Sequence, residues 1–205
     1  MSKALAIGAT VGIAALVGVT FAVTSFLKPD DKFAQCRQSQ AAGGAIGGPF
    51  TLVNEDGVEV TDQDVITSPT LVYFGYTFCP DICPMDNMRN AQAIYELDDR
   101  GVEVQPVFIT IDPARDTPEV MKEFTENFHE RMLGLTGTEE QVAAASQAYK
   151  TYYAKQDGDP EYYLVDHSTF TYLMLPEEGF VDFFRREMEP EEMADVLQCF
   201  VEAAT

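Results

Sequence analysis

Basic residues are scarce in this chain. It carries 13 Lys and Arg against 34 Asp and Glu, a formal charge of −21. Gripping a nucleic-acid backbone needs clustered Lys and Arg, so nucleic acid is excluded as a main partner. The same charge keeps a folded domain off anionic lipid heads and steers basic partner surfaces toward it. Cysteine is sparse too. Cys36, Cys79, Cys83 and Cys199 are too few to scaffold 205 residues by disulfides. Histidine is scarcer still: His129 and His167 are the two candidates for any imidazole chemistry. Internal repeats are absent.

What is present begins with an apolar run. Residues 4–27 contain neither charge nor Pro. As a helix they would span about 36 Å at ~1.5 Å per residue, enough for a hydrocarbon core of about 30 Å. Lys3 and the α-amine precede the run, and the charges of Lys28, Asp30, Asp31 and Lys32 cancel behind it. That asymmetry points the N-terminus to the cytoplasm and the acidic domain to the other side. A cleaved signal peptide is the rival, with Thr20-Phe21-Ala22 as a poor cleavage site. The run exceeds the usual h-region of about 7–15 residues, which favours an uncleaved anchor. The expected organisation is a transmembrane anchor over 1–28, a flexible tether over 29–48 that ends in Ala and Gly, and one folded domain over 49–205.

Within that domain, residues 50–53 and 58–60 flank Asn54-Glu55-Asp56-Gly57, a hairpin signal. Residues 70–76 form a near-continuous apolar run suited to a buried central strand. Met88, Ala91, Ile94, Tyr95 and Leu97 follow at helical spacing, and Gly101 closes that helix. A strand is expected over 102–111. Thr117 and Pro118 open a helix carrying Val120, Phe124 and Phe128. A short strand over 132–135 precedes a capping box at 138–141 and a helix to about 153. Strands over 162–175 and 179–184 then pair, and Glu189-Pro190 opens a last helix. The order is a hairpin and then β-α-β-α-β-α-β-β-α. This is an α/β, thioredoxin-like plan with an N-terminal β-hairpin, an inserted helix and strand, and one transmembrane helix in front. A largely parallel sheet is expected, with antiparallel strands added by the late hairpin.

The segment Cys79-Pro80-Asp81-Ile82-Cys83-Pro84 lies between the central strand and its helix. Ligands bind at this carboxyl end of strands in open α/β sheets. Cysteines four apart on a helical turn face the same way. They can close a disulfide or hold one metal ion as two thiolates, and a helix N-terminus favours the thiolate. An inert disulfide, a redox pair and a metal site all remain open on spacing alone. His129, among Glu126, Asn127 and Glu130, reads as a solvated surface residue on a helix. His167 sits at a break in an apolar run, and can complete a Cys79, Cys83, His167 set if the sheet brings that break beside the cysteines. Soft thiolates with one imidazole suit Cu(I). Zinc competes, but no catalytic acid or base accompanies the set. A peroxidase reading lacks a Thr-x-x-Cys spacing before Cys79. Asp81 and Asp166 adjoin the proposed ligands and read as solvated carboxylates rather than as groups that orient His167 or dock a partner. Met85 and Met88 are soft potential ligands whose plainer role is packing on the helix face.

Three blocks, Gly75 through Pro84, Asp112-Pro113-Ala114-Arg115-Asp116-Thr117-Pro118-Glu119, and Asp166-His167-Ser168, resemble the Sco/SenC family in order and spacing. The resemblance runs from about residue 49 to the C-terminus. It implies a thioredoxin-like fold behind a single membrane anchor, with the domain in the bacterial periplasm or the mitochondrial intermembrane space. It implies copper, as Cu(I) or Cu(II), on Cys79, Cys83 and His167, loaded by an upstream copper donor chaperone. It further implies a role at the dinuclear copper A centre of cytochrome c oxidase subunit II: copper delivery, or reduction of the receiving cysteines by the Cys79/Cys83 redox pair. The family often has His where Phe78 stands, so one auxiliary ligand is missing here. Cys36 and Cys199 lie outside the motif. A disulfide tying the tether to the last helix, free buried thiols and contacts between chains are all open to them.

Overall fold

The β-branched and aromatic residues of Thr70–Gly75 form a strand buried at every position, as an apolar run without a polar face requires. The computed structural model describes residues 31–37, 46–159 and 162–204. The elements in chain order are β1 (Thr51–Asn54), β2 (Glu59–Thr61), α1 (Asp62–Val65), β3 (Thr70–Gly75), α2 (Ile82–Asp99), β4 (Gln105–Thr110), α3 (Pro118–Thr125), β5 (Leu133–Thr136), α4 (Glu139–Ala148), β6 (Tyr153–Lys155), β7 (Val165–His167), β8 (Thr171–Leu175), β9 (Gly179–Phe184) and α5 (Pro190–Ala204). The chain divides into units 1–34 and 35–205. The described part of the first, residues 31–34, is a turn in which Ala34 N–H donates to the Asp31 carbonyl at 3.0 Å. The apolar run, and with it the expected anchor, lies outside the described residues. Among the described residues no helix is long and apolar enough to cross a membrane.

The second unit is built on a seven-stranded sheet in the order β2-β1-β5-β4-β3-β8-β9. β3, β4 and β5 run parallel, and every other pairing in it is antiparallel. The expected largely parallel sheet is therefore corrected: the N-terminal hairpin returns to pair β1 with β5 and makes the second flank antiparallel as well. The expected thioredoxin-like α/β plan otherwise stands. Side chains from both faces merge into one core that includes Leu52, Tyr73, Phe108, Leu135 and Tyr149.

Helix ends follow local chemistry. Thr117 and Thr138 cap α3 and α4, their side chains accepting from Val120 and Gln141 N–H. Gly101, at φ +76°, turns the chain after α2. α4 stops at Ala148 and not at residue 153, because Lys150 takes a left-handed φ of 56° and Tyr153 pairs in β6. The expected single strand over 162–175 breaks into β7 and β8. β7 leaves the main sheet and pairs antiparallel with β6, with Tyr153 opposite His167.

Cys36 and Cys199 form a disulfide with their Cα atoms 5.6 Å apart, while Cys79 and Cys83 are free thiols. The disulfide closes a loop of 163 residues, so it removes much freedom from the unfolded chain. Replacing both Cys36 and Cys199 by Ser is expected to lower unfolding free energy by about 2–4 kcal/mol, measured by denaturant titration under non-reducing conditions. An unchanged midpoint would show that the bridge carries no stability.

Candidate metal centre

The centre forms where β3 ends and α2 begins. Cys83 lies in the first turn of α2, whose N–H groups lack helical partners. Asp81 occupies the cap position but makes no side-chain cap bond. The sulfur of Cys79 takes that role, accepting from Cys83 N–H at 3.3 Å. The spacing of the two cysteines thus satisfies a helix end and aims both sulfurs at one point. Gly75 makes room for them: a Cβ there would meet Cys83 Sγ, a Phe108 ring carbon and a Tyr73 ring carbon, each at 2.9 Å.

The third member comes from far along the chain. β7 is hydrogen-bonded to the cysteine loop by Val165 N–H donating to Tyr76 Oη at 3.2 Å. That bond brings His167 Nε2 to 3.3 Å from Cys83 Sγ. His167 Nδ1 lies 2.8 Å from the Ser168 carbonyl. A carbonyl only accepts, so Nδ1 carries the proton and Nε2 presents a lone pair to the sulfurs. Tyr73 and Tyr76 meet the imidazole edge-on, with centroids 6.2 and 5.9 Å away. The ligand atoms of Cys79, Cys83 and His167 all lie within 4.8 Å of one another. The three residues read from the sequence are thus brought together.

The two thiols are driven apart in acidity. Cys79 is held well below the ordinary thiol range, chiefly by the Cys83 thiol donating to it and further by the N–H groups of Cys83 and Asp81. Cys83 is pushed far up, first by burial and then by the neighbouring Cys79. The reduced pair therefore holds one thiolate, on Cys79, and one thiol, on Cys83.

A buried carboxylate keeps the loop in place. Asp116 has no solvent contact and accepts from Thr77 N–H at 3.1 Å, Thr77 Oγ1 at 2.6 Å and Thr110 Oγ1 at 2.5 Å. Arg115 pairs with Asp112 and stacks between Tyr163 and Phe78, 3.6 and 4.6 Å from their centroids. Phe78 is thus a stacking partner. On α2, Asn87 donates to the Cys83 carbonyl at 2.8 Å, and Tyr73 Oη donates to buried Asp86 at 2.9 Å.

The sequence analysis did not single out Asp86, Asn87 and Asn90, which are buried on α2. The signal was there: Cys83, Asn87, Asn90, Ile94 and Leu97 continue one buried face at helical spacing. His129 corrects a further expectation. It is buried in the turn after α3, 3.2 Å from Asp98 through Nε2 and 4.4 Å from the Tyr95 ring, and far from the cysteines in role. Asp81 and Asp166 are exposed as expected. Met85 and Met88 do not pack: they are 58% and 46% exposed.

A profile of the SCO1/SenC family matches residues 38–202. The chain belongs to the SCO1/SenC family. SenC from Rhodobacter capsulatus is 52% identical over 204 residues, spanning 98% of this chain and 92% of that one. Among solved members, the copper-bound structure of ScoI from Arabidopsis thaliana has a TM-score of 0.73 at 41% identity, over 77% of this chain and 99% of its own. Copper-bound yeast Sco1 has a TM-score of 0.73 at 40% identity, over 78% and 90%. SCO1/SenC membership accounts for the three sequence blocks meeting in space: the cysteine loop, the Asp116 loop that clamps it, and the strand end that carries His167.

Two outcomes follow for this member. Gly75→Ala is expected to cost about 1–3 kcal/mol by overpacking and to displace Cys83 Sγ, seen as a changed thiol reactivity alongside a lowered unfolding midpoint; wild-type values for both would contradict the packing argument. The acidities set the pH dependence of the reduced protein. Cys79, with its native pKa depressed, adds stability that grows as pH rises toward the unfolded thiol value of about 8.5. Cys83, with its native pKa raised, withdraws stability above that value, because only the unfolded chain then ionises there. A stability profile with a maximum near pH ~8.5, flattened by replacing both Cys79 and Cys83 with Ser, is the expected result. A monotonic profile would oppose it.

Proposed function

We propose that this SCO1/SenC protein carries copper on Cys79, Cys83 and His167 and serves the assembly of cytochrome c oxidase, delivering the metal to the dinuclear copper A centre of subunit II. The single observation behind this is the convergence of two sulfurs and one imidazole lone pair within 4.8 Å. Two thiolates and one imidazole form a soft donor set that favours Cu(I). Two solved relatives with matching folds hold copper. With three ligands, one side stays open to an incoming thiolate, so the ion can move by ligand exchange. Loading displaces the Cys83 proton to solvent, and oxidation of the pair to a disulfide switches binding off. An upstream copper donor loads the site, and a membrane anchor over 1–28 holds the domain on the periplasmic or intermembrane-space side.

A second reading has its own observation, the split acidity of the pair. A Cys79 thiolate beside a buried Cys83 thiol is the arrangement of a dithiol reductant. Cys79 would attack one sulfur of the partner's disulfide, and Cys83 would then displace the partner's sulfur. The partner gains two electrons and two thiols while Cys79 and Cys83 leave as a disulfide. His167→Ala separates the readings. Copper affinity should fall by at least roughly 100-fold, the upper end for losing a mere outer-shell partner, while dithiol exchange stays within a few-fold. Competition with a chelator of known affinity measures the first and thiol–disulfide exchange kinetics the second. Undiminished copper affinity would sink the ligand assignment.

A further inference from the structure

Met85 and Met88 leave large apolar side chains in solvent, which burial of apolar surface disfavours. They sit three apart on α2, so they share a face. Met188, from the segment leading into α5, lines the same open cavity of about 500 Å³. Three thioethers from two separate segments thus meet at one cavity. Its wall also includes Pro84, next in sequence to Cys83. We propose that Met85, Met88 and Met188 form a thioether site for a soft monovalent cation of the Cu(I) class, beside the dithiol centre.

The chemistry of the wall supports a soft ion over a hard one. Thioethers are neutral, polarizable donors that select Cu(I). The cavity's charged neighbours come as opposite pairs and leave no net anionic cage. Arg186 faces Asp86 at 3.7 Å. Arg89 is engaged by the Arg185 carbonyl, Asn90 and Thr171, and Asp86 and Glu187 offset its charge. Calcium or magnesium want several oxygen ligands, and among the described residues the acidic side chains on this wall, Asp86 and Glu189, form no cluster of three or more. The overall charge of −21 still concentrates cations near the surface. Thioethers carry no proton at neutral pH, so this site takes the ion without proton release and hands it on as Cu(I), with no electron transferred. The Cys79 thiolate, being charged, is the stronger ligand and draws the ion inward. The entry role rests on the copper reading of the dithiol. The thioether site itself does not.

The test separates the two. The full chain with Cys79→Ser, Cys83→Ser and His167→Ala, its Cys36–Cys199 disulfide intact, is titrated with Ag(I), a redox-inert mimic of Cu(I), and followed by the methionine methyl resonances. Met85, Met88 and Met188 should shift together and saturate near one equivalent while the other methionines stay. The same chain with M85L, M88L and M188L should lose the response. Met85 and Met88 are exposed and Met188 is half-buried, and leucine conserves apolar volume there, so fold and apolar surface persist and only the sulfur is removed. Absence of saturable shifts, or shifts spread over all methionines, overturns the site. In the chain with its cysteines and His167 restored and reduced, the three Leu substitutions should slow uptake from a Cu(I)–chelator solution several-fold and leave final loading equal. Equal rates overturn the entry role. A failure of the copper reading would appear as no uptake by either chain, with the Ag(I) result untouched.

Discussion

The structure depends on a close approach: the first turn of α2 is laid so tightly over the end of β3 that Cys83 Sγ occupies the space a side chain at residue 75 would need. Only glycine permits it. Once that contact is made, Cys83 is sealed from solvent, its thiol resists ionisation, and the charge of the pair settles on Cys79. The same contact points the helix N-terminus at the Cys79 sulfur, which replaces the carboxylate cap that Asp81 would otherwise supply. Packing, acidity and capping are therefore one arrangement seen from three sides.

A tight strand-to-helix junction needs a rigid loop around it, and the surrounding residues provide that rigidity. Asp116 accepts three hydrogen bonds from Thr77 and Thr110 in full burial. An unsatisfied group there would cost about 1–3 kcal/mol, so the loop is held where those donors lie. Burial pushes the Asp116 carboxyl up in pKa while the same donors pull it down. The second support is Tyr76, whose oxygen accepts from β7 and whose ring meets His167. Tyr76, three residues before Cys79, thus helps to seat a ligand from a strand far away in sequence.

Much of this was legible in the sequence because it is local. The unbroken apolar run of β3, the capping threonines at 117 and 138, and the Cys79/Cys83 spacing each state their structure within a few residues. The antiparallel return of β1 onto β5 was not legible, since no local pattern says which sheet edge a hairpin will join. The interruption of the apolar run at His167 was visible, but nothing local said that the strand ending there would leave the main sheet and pair with β6. His129 read as solvated because its neighbours in sequence are polar; its neighbours in space, Asp98 and Tyr95, are not adjacent in the chain. Met85 and Met88 misled in the opposite sense: apolar character suggested packing, yet in the first half of α2 the buried positions include Asn87, Asn90 and Asp86 in a hydrogen-bonded network. For His167, the residues alone supplied a candidate and the family pattern supplied its partners.

The central claim is that two sulfurs and one imidazole nitrogen act as a single copper site. X-ray absorption of the reduced protein carrying one equivalent of Cu(I) tests it most directly. The expected first shell holds two sulfur scatterers and one imidazole nitrogen, and His167→Ala removes the imidazole outer-shell signature. An all-sulfur shell in the wild-type protein, or an imidazole signature that survives in the His167→Ala variant, would contradict the account.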